Sequence, residues 1–170
     1  MRLNLGCGND YKEGYINCDW TDKVKVDKIV DLNKKLPFKD NSVDEIICFH
    51  VLEHFHEPLI LLKEFYRICK NEAIVKIKVP YFSHESAFSM LDHYHQFTLT
   101  SFDALDKKHA CHWQSIGDFK IIKKRLNWRN QLKFFEKIFN SNPKLLRIYQ
   151  ELFCWIIPAR ELNIELKVIK

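Results

Sequence analysis

The chain has 170 residues, 46% of them hydrophobic, and carries 27 Lys and Arg against 22 Asp and Glu, a formal charge of +5. That suffices for one domain with a real core and falls short of two ordinary ones, so residues 1–170 are read as a single unit. No run approaches the ~18 consecutive apolar residues of a membrane span, and Met1 leads straight into a strand pattern without the regions of a signal peptide, which predicts a cytoplasmic protein. Six scattered cysteines without a CxxC pair read as buried free thiols. The charge is uneven: residues 1–106 hold 13 basic against 17 acidic side chains, and residues 107–170 hold 14 against 5. A basic C-terminal part can attract a polyanion, although such a bias is usually a solvated exterior.

Strand-like and helix-like segments alternate, the pattern of an α/β protein with a mostly parallel sheet. Short apolar strands are expected at Arg2 to Leu5, stopping at Gly6, at Tyr15 to Cys18, stopping at Asp19, and at Val26 to Val30, stopping at Asp31. Val43 to Phe49 follows the turn cluster Asp40-Asn41-Ser42 and has the near-continuous apolar run of a strand buried on both faces. A helix is predicted over Pro58 to Cys69, with Leu59, Leu62, Phe65, Tyr66 and Cys69 at helical spacing. Ala73 to Val79 reads as a fifth strand. Thr100 is placed as the N-cap of a short helix to about Lys108. Phe119 to Leu126 and Leu162 to Ile169 alternate like strands, and between them Arg129 to Asn140 and Pro143 to Ile157 form a helical insertion. The last of these helices carries more apolar surface than one stripe needs, which predicts a dimer contact or an acceptor-side lid.

The chemistry concentrates at strand ends. Leu5-Gly6-Cys7-Gly8-Asn9 closes the first strand with glycines, which let a backbone turn sharply and a ligand lie against its amides. Asp19 ends the second strand, where a carboxylate can accept ribose hydroxyls, and Trp20 beside it can lie on an adenine face. Asp31 and Leu32 follow the third strand, where they can read the adenine edge, and Phe49-His50-Val51 ends the fourth. Ligands in open α/β sheets sit at the carboxyl ends of strands, so the four positions converge on one crevice. A nicotinamide site is disfavoured, because GxGxxG would need glycine where Tyr11 stands.

The runs Leu3-Asn-Leu-Gly-Cys-Gly8, Gly14-Tyr-Ile-Asn-Cys-Asp19, Asp31-Leu32, Leu36-Pro-Phe-Lys-Asp-Asn-Ser-Val-Asp44 and His50-Val-Leu-Glu-His54 together resemble the class I S-adenosylmethionine-dependent methyltransferases. The likeness extends to His93-Tyr-His95, Phe97 to Phe102 and Ile157 to Leu162. It implies a Rossmann-like, seven-stranded sheet with an antiparallel last strand, S-adenosylmethionine as cofactor and S-adenosylhomocysteine as product. The methionine part would lie near Gly6 to Gly8, the ribose at Asp19, and the adenine near Trp20, Asp31 and Leu32. Two features depart from the pattern. Asp10 stands near the usual third glycine, leaving only residues 9–14 for a crossover that normally takes a dozen or more, so an abbreviated turn is expected. The sequence also begins at the first strand, without the family's N-terminal lid helices, and a partner or second subunit is expected to supply that cover.

Methyl transfer needs an acceptor held in line with an activated sulfonium and, where the nucleophile carries a proton, a base. Histidine suits that role, with an unperturbed pKa of about 6.5. His50, His84 and His93 are the candidate bases, with His95, and the segment from Pro80 to Phe97 is expected to overhang the acceptor. His50 and His54 have one-turn spacing, but no HExxH motif accompanies them, so no metal site is assigned and His54 is read as packing near the following helix. The function read is methylation of a small-molecule or sugar-containing acceptor. A nucleic-acid methyltransferase using the basic C-terminal half, although no Asn-Pro-Pro-Tyr-like motif supports it, and a non-catalytic cofactor-binding subunit of a partner enzyme are the alternatives.

Overall fold

The computed structural model describes residues 1–112 and 116–170. Seven strands form one sheet: β1 (Arg2–Leu5), β2 (Ile16–Asp19), β3 (Lys28–Ile29), β4 (Val43–Phe49), β5 (Cys69–Pro80), β6 (Asp118–Asn127) and β7 (Glu161–Ile169). Their order is β3-β2-β1-β4-β5-β7-β6. The first five are parallel, and β7 enters antiparallel between β5 and β6. The order reverses between β1 and β4, which both leave their carboxyl ends open to a shared crevice.

The central strands are apolar because both faces are covered: Leu3, Leu5, Val43, Ile46 and Cys48 are buried. Helix α1 (Pro58–Ile68) carries the chain from β4 to β5, with Pro58 in its first turn, where a missing N–H costs nothing. It buries Leu61, Leu62, Phe65 and Ile68, each worth roughly 1.5–3 kcal/mol relative to exposure. The face is thus rotated from the expected one: Leu59 is exposed, and Cys69 is already the first residue of β5. β5 starts four residues earlier than its apolar run, at a bulge that pairs Val43 with Cys69 and Glu45 with Ile74.

No helix spans the first crossover. Residues 6–15 instead fold on buried asparagines from the two strands. Asn17 Oδ1 accepts from the Lys12 amide at 2.8 Å and from Asn4 Nδ2 at 2.9 Å. Asn17 Nδ2 donates to the Lys12 carbonyl, the Tyr15 carbonyl and Asp27, and Asn4 Nδ2 donates to the Asp10 carbonyl. Two side-chain amides therefore satisfy the turn groups that a helix would have satisfied internally.

The other departures from expectation are local. The third strand shrinks to two residues, with Asp27 recruited to the Asn17 backbone amide at 2.7 Å rather than to a ladder. The expected helix from Thr100 is a single 3-10 turn, Asp103–Leu105, without a side-chain cap. The insertion between β6 and β7 is broken into a 3-10 turn (Asn130–Leu132), α2 (Phe134–Phe139), α3 (Pro143–Ile148) and a π-turn (Tyr149–Phe153). Trp128, Phe139 and Tyr149 anchor it, and the Tyr149 hydroxyl donates to the Ile157 carbonyl and accepts from the Ala159 amide. On its outer side Leu152, Trp155 and Ile156 are exposed. No helix among the described residues is long and apolar enough to cross a membrane.

Candidate active site

A cleft of about 530 Å³ opens at the carboxyl ends of β1, β2 and β4. Its walls include Gly6, Gly8, Asp19, Trp20, Asp31 and Leu32. His50 and Val51 close the β4 side, and Asn33, His54, Phe55 and Asp92 complete the lining. The structure thus brings eight of the residues singled out from sequence to one space.

The glycine loop is shaped by steric need. Gly6 has φ +66°, and a Cβ there would stand 2.4 Å from Val51 Cγ2, so no side chain fits. Gly8 has φ +48°, and nothing lies within 4 Å of where its Cβ would project. Asp19 stitches this loop to β2. It is 6% exposed, and its two carboxylate oxygens accept the Gly8 and Trp20 amides, each at 2.8 Å. A carboxylate oxygen has a second lone pair, so capacity remains for a ligand hydroxyl. Trp20 is 77% exposed, an unusual state for an indole and one that leaves a ring face free. Asp31 accepts from the Asn33 amide at 3.0 Å, which together with Lys34 holds its carboxyl below the ordinary range.

Four of the residues expected to bind the cofactor do not line the cleft. Leu5 is fully buried in the sheet, and Cys7 is buried with its amide donated to the Cys18 carbonyl, because the loop turns its glycines rather than these side chains outward. Asn9 is exposed on the turn. The Phe49 ring is instead met by the ammonium groups of Lys12 and Lys78, 5.9 and 4.7 Å from its centre.

The candidate bases separate in the structure. His50, at φ +56°, has Glu161 3.4 Å from Nε2 and Glu53 3.4 Å from Nδ1. Glu161 and then Glu53 push its pKa up to about 9, because two carboxylates beside the ring favour its charged form. His84 is buried outside the cleft lining, where its Nδ1 accepts from the Ser86 amide and caps a 3-10 turn (Glu85–Ala87). Burial, then Arg129, pushes its pKa down. His93 packs edge-on against His54 at 4.7 Å between ring centres. His95 Nε2 donates to the His56 carbonyl at 2.9 Å, beside a separate cavity.

The segment after β5 does reach over the cleft. Asp92 lines it and lies 3.0 Å from His54 Nδ1, while the Tyr94 amide donates to the Glu53 carbonyl at 2.8 Å. Asn33, Phe55 and Asp92 escaped the sequence reading, since nothing in their spacing marks them. His50 and His54 do not share a helix: His50 precedes a 3-10 turn (Leu52–His54) that His54 closes. Instead, Glu53, His54 and His93 each place a metal-capable atom within 4.8 Å of the others.

Two other cavities compete for attention. One of about 670 Å³ lies between β6 and α3, but its charges are internally paired, Lys124 with Asp103 and Arg147 with Glu151. Another of about 370 Å³ is lined mainly by Leu52, Pro58, Leu62 and Phe97. Neither has the carboxyl ends of parallel strands or a glycine loop facing it.

Residues 6–77 match the methyltransferase domain family. Over that stretch, which holds the glycine loop, Asp19 and His50, the chain is similar to that family. It is 29% identical over 127 residues, 73% of its length, to the uncharacterized protein MJ0638 of Methanocaldococcus jannaschii, and spans about half (49%) of that relative. In fold it is similar to a SAM-dependent methyltransferase from Archaeoglobus fulgidus, with a TM-score of 0.65 at 15% identity, over 98% of this chain and 85% of that one. It is also similar to the plantazolicin methyltransferase BpumL in complex with SAH, at 0.58 and 18%, covering 99% and 76%. A third likeness is to a chain of the Haloferax volcanii complex of the Trm112 methyltransferase activator with a protein assigned as a methyltransferase, at 0.64 and 14%, covering 99% and 82%.

Proposed function

We propose that this chain binds S-adenosylmethionine in the strand-end cleft and transfers its methyl group to a small-molecule or sugar-containing acceptor. The observation that carries the reading is the anchored Asp19 carboxylate between an open Gly8 and an exposed Trp20, on a methyltransferase-type sheet. Gly6 and Gly8 would admit the methionine portion, Asp19 the ribose hydroxyls, and Trp20, Asp31 and Leu32 the adenine. The cofactor would supply an activated methyl group, and the chain's work is to hold it and the acceptor in line. His50, flanked by Glu161 and Glu53, would place positive charge beside the cofactor.

A small acceptor is favoured over nucleic acid by where the basic residues lie. Lys120, Lys123, Lys124 and Arg125 are on β6, the far edge of the sheet from β1 and β2, and Lys123 and Lys124 are already paired with Glu165 and Asp103. A partner that covers the exposed Leu152, Trp155 and Ile156 is a second element of the reading, and light scattering would find it as a dimer or a hetero-complex.

Calorimetric titration with S-adenosylhomocysteine tests the cofactor assignment. Asp19→Ala should weaken binding about tenfold or more, given the ~1.5–3 kcal/mol of a charge-assisted hydrogen bond, whereas Asp22→Ala, at an exposed position, should not. Equal and negligible effects would defeat the assignment.

A further inference from the structure

We propose that Glu53, His54 and His93 form a site for a divalent transition-metal ion of the zinc class at the edge of the cleft. Glu53 is 1% exposed and neither carboxylate oxygen has a hydrogen-bond partner; the His50 ring, 3.4 Å from Oε1, is a contact of charge only and leaves Oε2 without any partner. A buried carboxylate in that condition is costly unless a cation satisfies it. His93 Nδ1 is likewise buried and unpartnered. Two orphaned groups of the right chemistry therefore face one another, and the third member is oriented from outside: His54 Nδ1 lies 3.0 Å from Asp92 Oδ2, leaving Nε2 free. A carboxylate behind a histidine is the arrangement that fixes the ring of a metal ligand.

The donor set decides the ion. Two imidazoles and one carboxylate suit Zn²⁺ and its transition-metal neighbours better than Mg²⁺ or Ca²⁺, which prefer all-oxygen sets. The three atoms stand within 4.8 Å of each other, and bonds of about 2.0–2.1 Å to a tetrahedral ion would draw them to roughly 3.3 Å, a rotation of side chains. Three protein ligands leave one position open, as in catalytic zinc sites. His54 is itself a wall of the cleft, so, on the methyltransferase reading, that position would take an oxygen of the acceptor. The competing explanation is that the Glu53 carboxylate is satisfied by the His50 imidazolium 3.4 Å away and binds no ion.

The test is titration of the untagged chain, stripped with a chelator, with Zn²⁺ by calorimetry and with Co²⁺ by visible absorption. One ion per chain is expected, and His54→Ala and His93→Ala should each weaken binding at least ~100-fold, while His109→Ala, on the exposed 106–112 turn, leaves it unchanged. Zn²⁺ should also raise the unfolding temperature of the wild type. No binding, or binding indifferent to His54 and His93, would overturn the proposal. Should either variant fail to fold, X-ray absorption of the zinc-loaded wild type decides: two imidazoles and a carboxylate support the site, and any other set overturns it. S-adenosylhomocysteine titration of the metal-free protein separates the two claims, since cofactor binding without zinc binding sinks only the metal site, and zinc binding without cofactor binding sinks only the cofactor assignment.

Discussion

Gly6 and Gly8 sit two residues apart with similar φ angles, yet they answer to different constraints. Gly6 is required by the protein, since Val51 fills the space its side chain would take; Gly8 faces open space. Gly6→Ala should therefore lower the unfolding free energy by more than the ~1 kcal/mol that left-handed strain costs an alanine, and Gly8→Ala by about that strain alone. Denaturant unfolding of the two variants distinguishes them, and cofactor titration should show Gly8→Ala impaired despite its milder instability. His84 makes a second prediction. It is buried neutral, so its folded pKa lies below the ordinary value and the stability it contributes is present above about pH 6.5 and lost as pH falls below that value. Thermal unfolding of the wild type should fall more steeply than that of His84→Gln on acidification; a parallel decline would show that His84 titrates freely.

Among the elements, the first crossover repays most scrutiny. Its shortness was legible from the nine residues between two strand patterns, but what replaces the helix was not, because Asn4 and Asn17 look like ordinary interruptions of apolar strands. Only the folded arrangement shows Asn17 answering five polar groups at once. Asn17→Ala leaves several of them buried without partners, at ~1–3 kcal/mol each, so it should destabilise by at least about 2 kcal/mol, with the glycine loop losing protection in hydrogen exchange. The helical insertion is the reverse case: its apolar excess was visible in sequence, whereas its division at a π-turn was not, since Leu145 through Ile157 reads as one continuous run. The inner side chains pack on Trp128 and Tyr149 and the outer ones meet solvent. Ile156→Glu should accordingly change monomer stability by no more than about 0.5 kcal/mol, and abolish self-association if this face carries it; a large loss of stability would show that the residue belongs to the core.

For the whole molecule, the strand-end residues Asp19, Asp31 and His50 were placed in sequence by one rule, that parallel strands open at their carboxyl ends, and the sheet order brings them together. The segment from Pro80 to Phe97 was expected over the acceptor, but Asp92 was not singled out, because a long segment returning from β5 obeys no such rule and its landing point is set by tertiary contacts such as Tyr94 on Glu53. The most direct measurement is an amide-resolved NMR titration of this 20.5 kDa chain with S-adenosylhomocysteine. The amides of Gly6, Gly8, Trp20, Leu32 and Val51 should shift together and saturably, with those of β6 unmoved. Shifts confined to the cavity between β6 and α3, or none at any concentration, would contradict the placement of a cofactor at the strand ends.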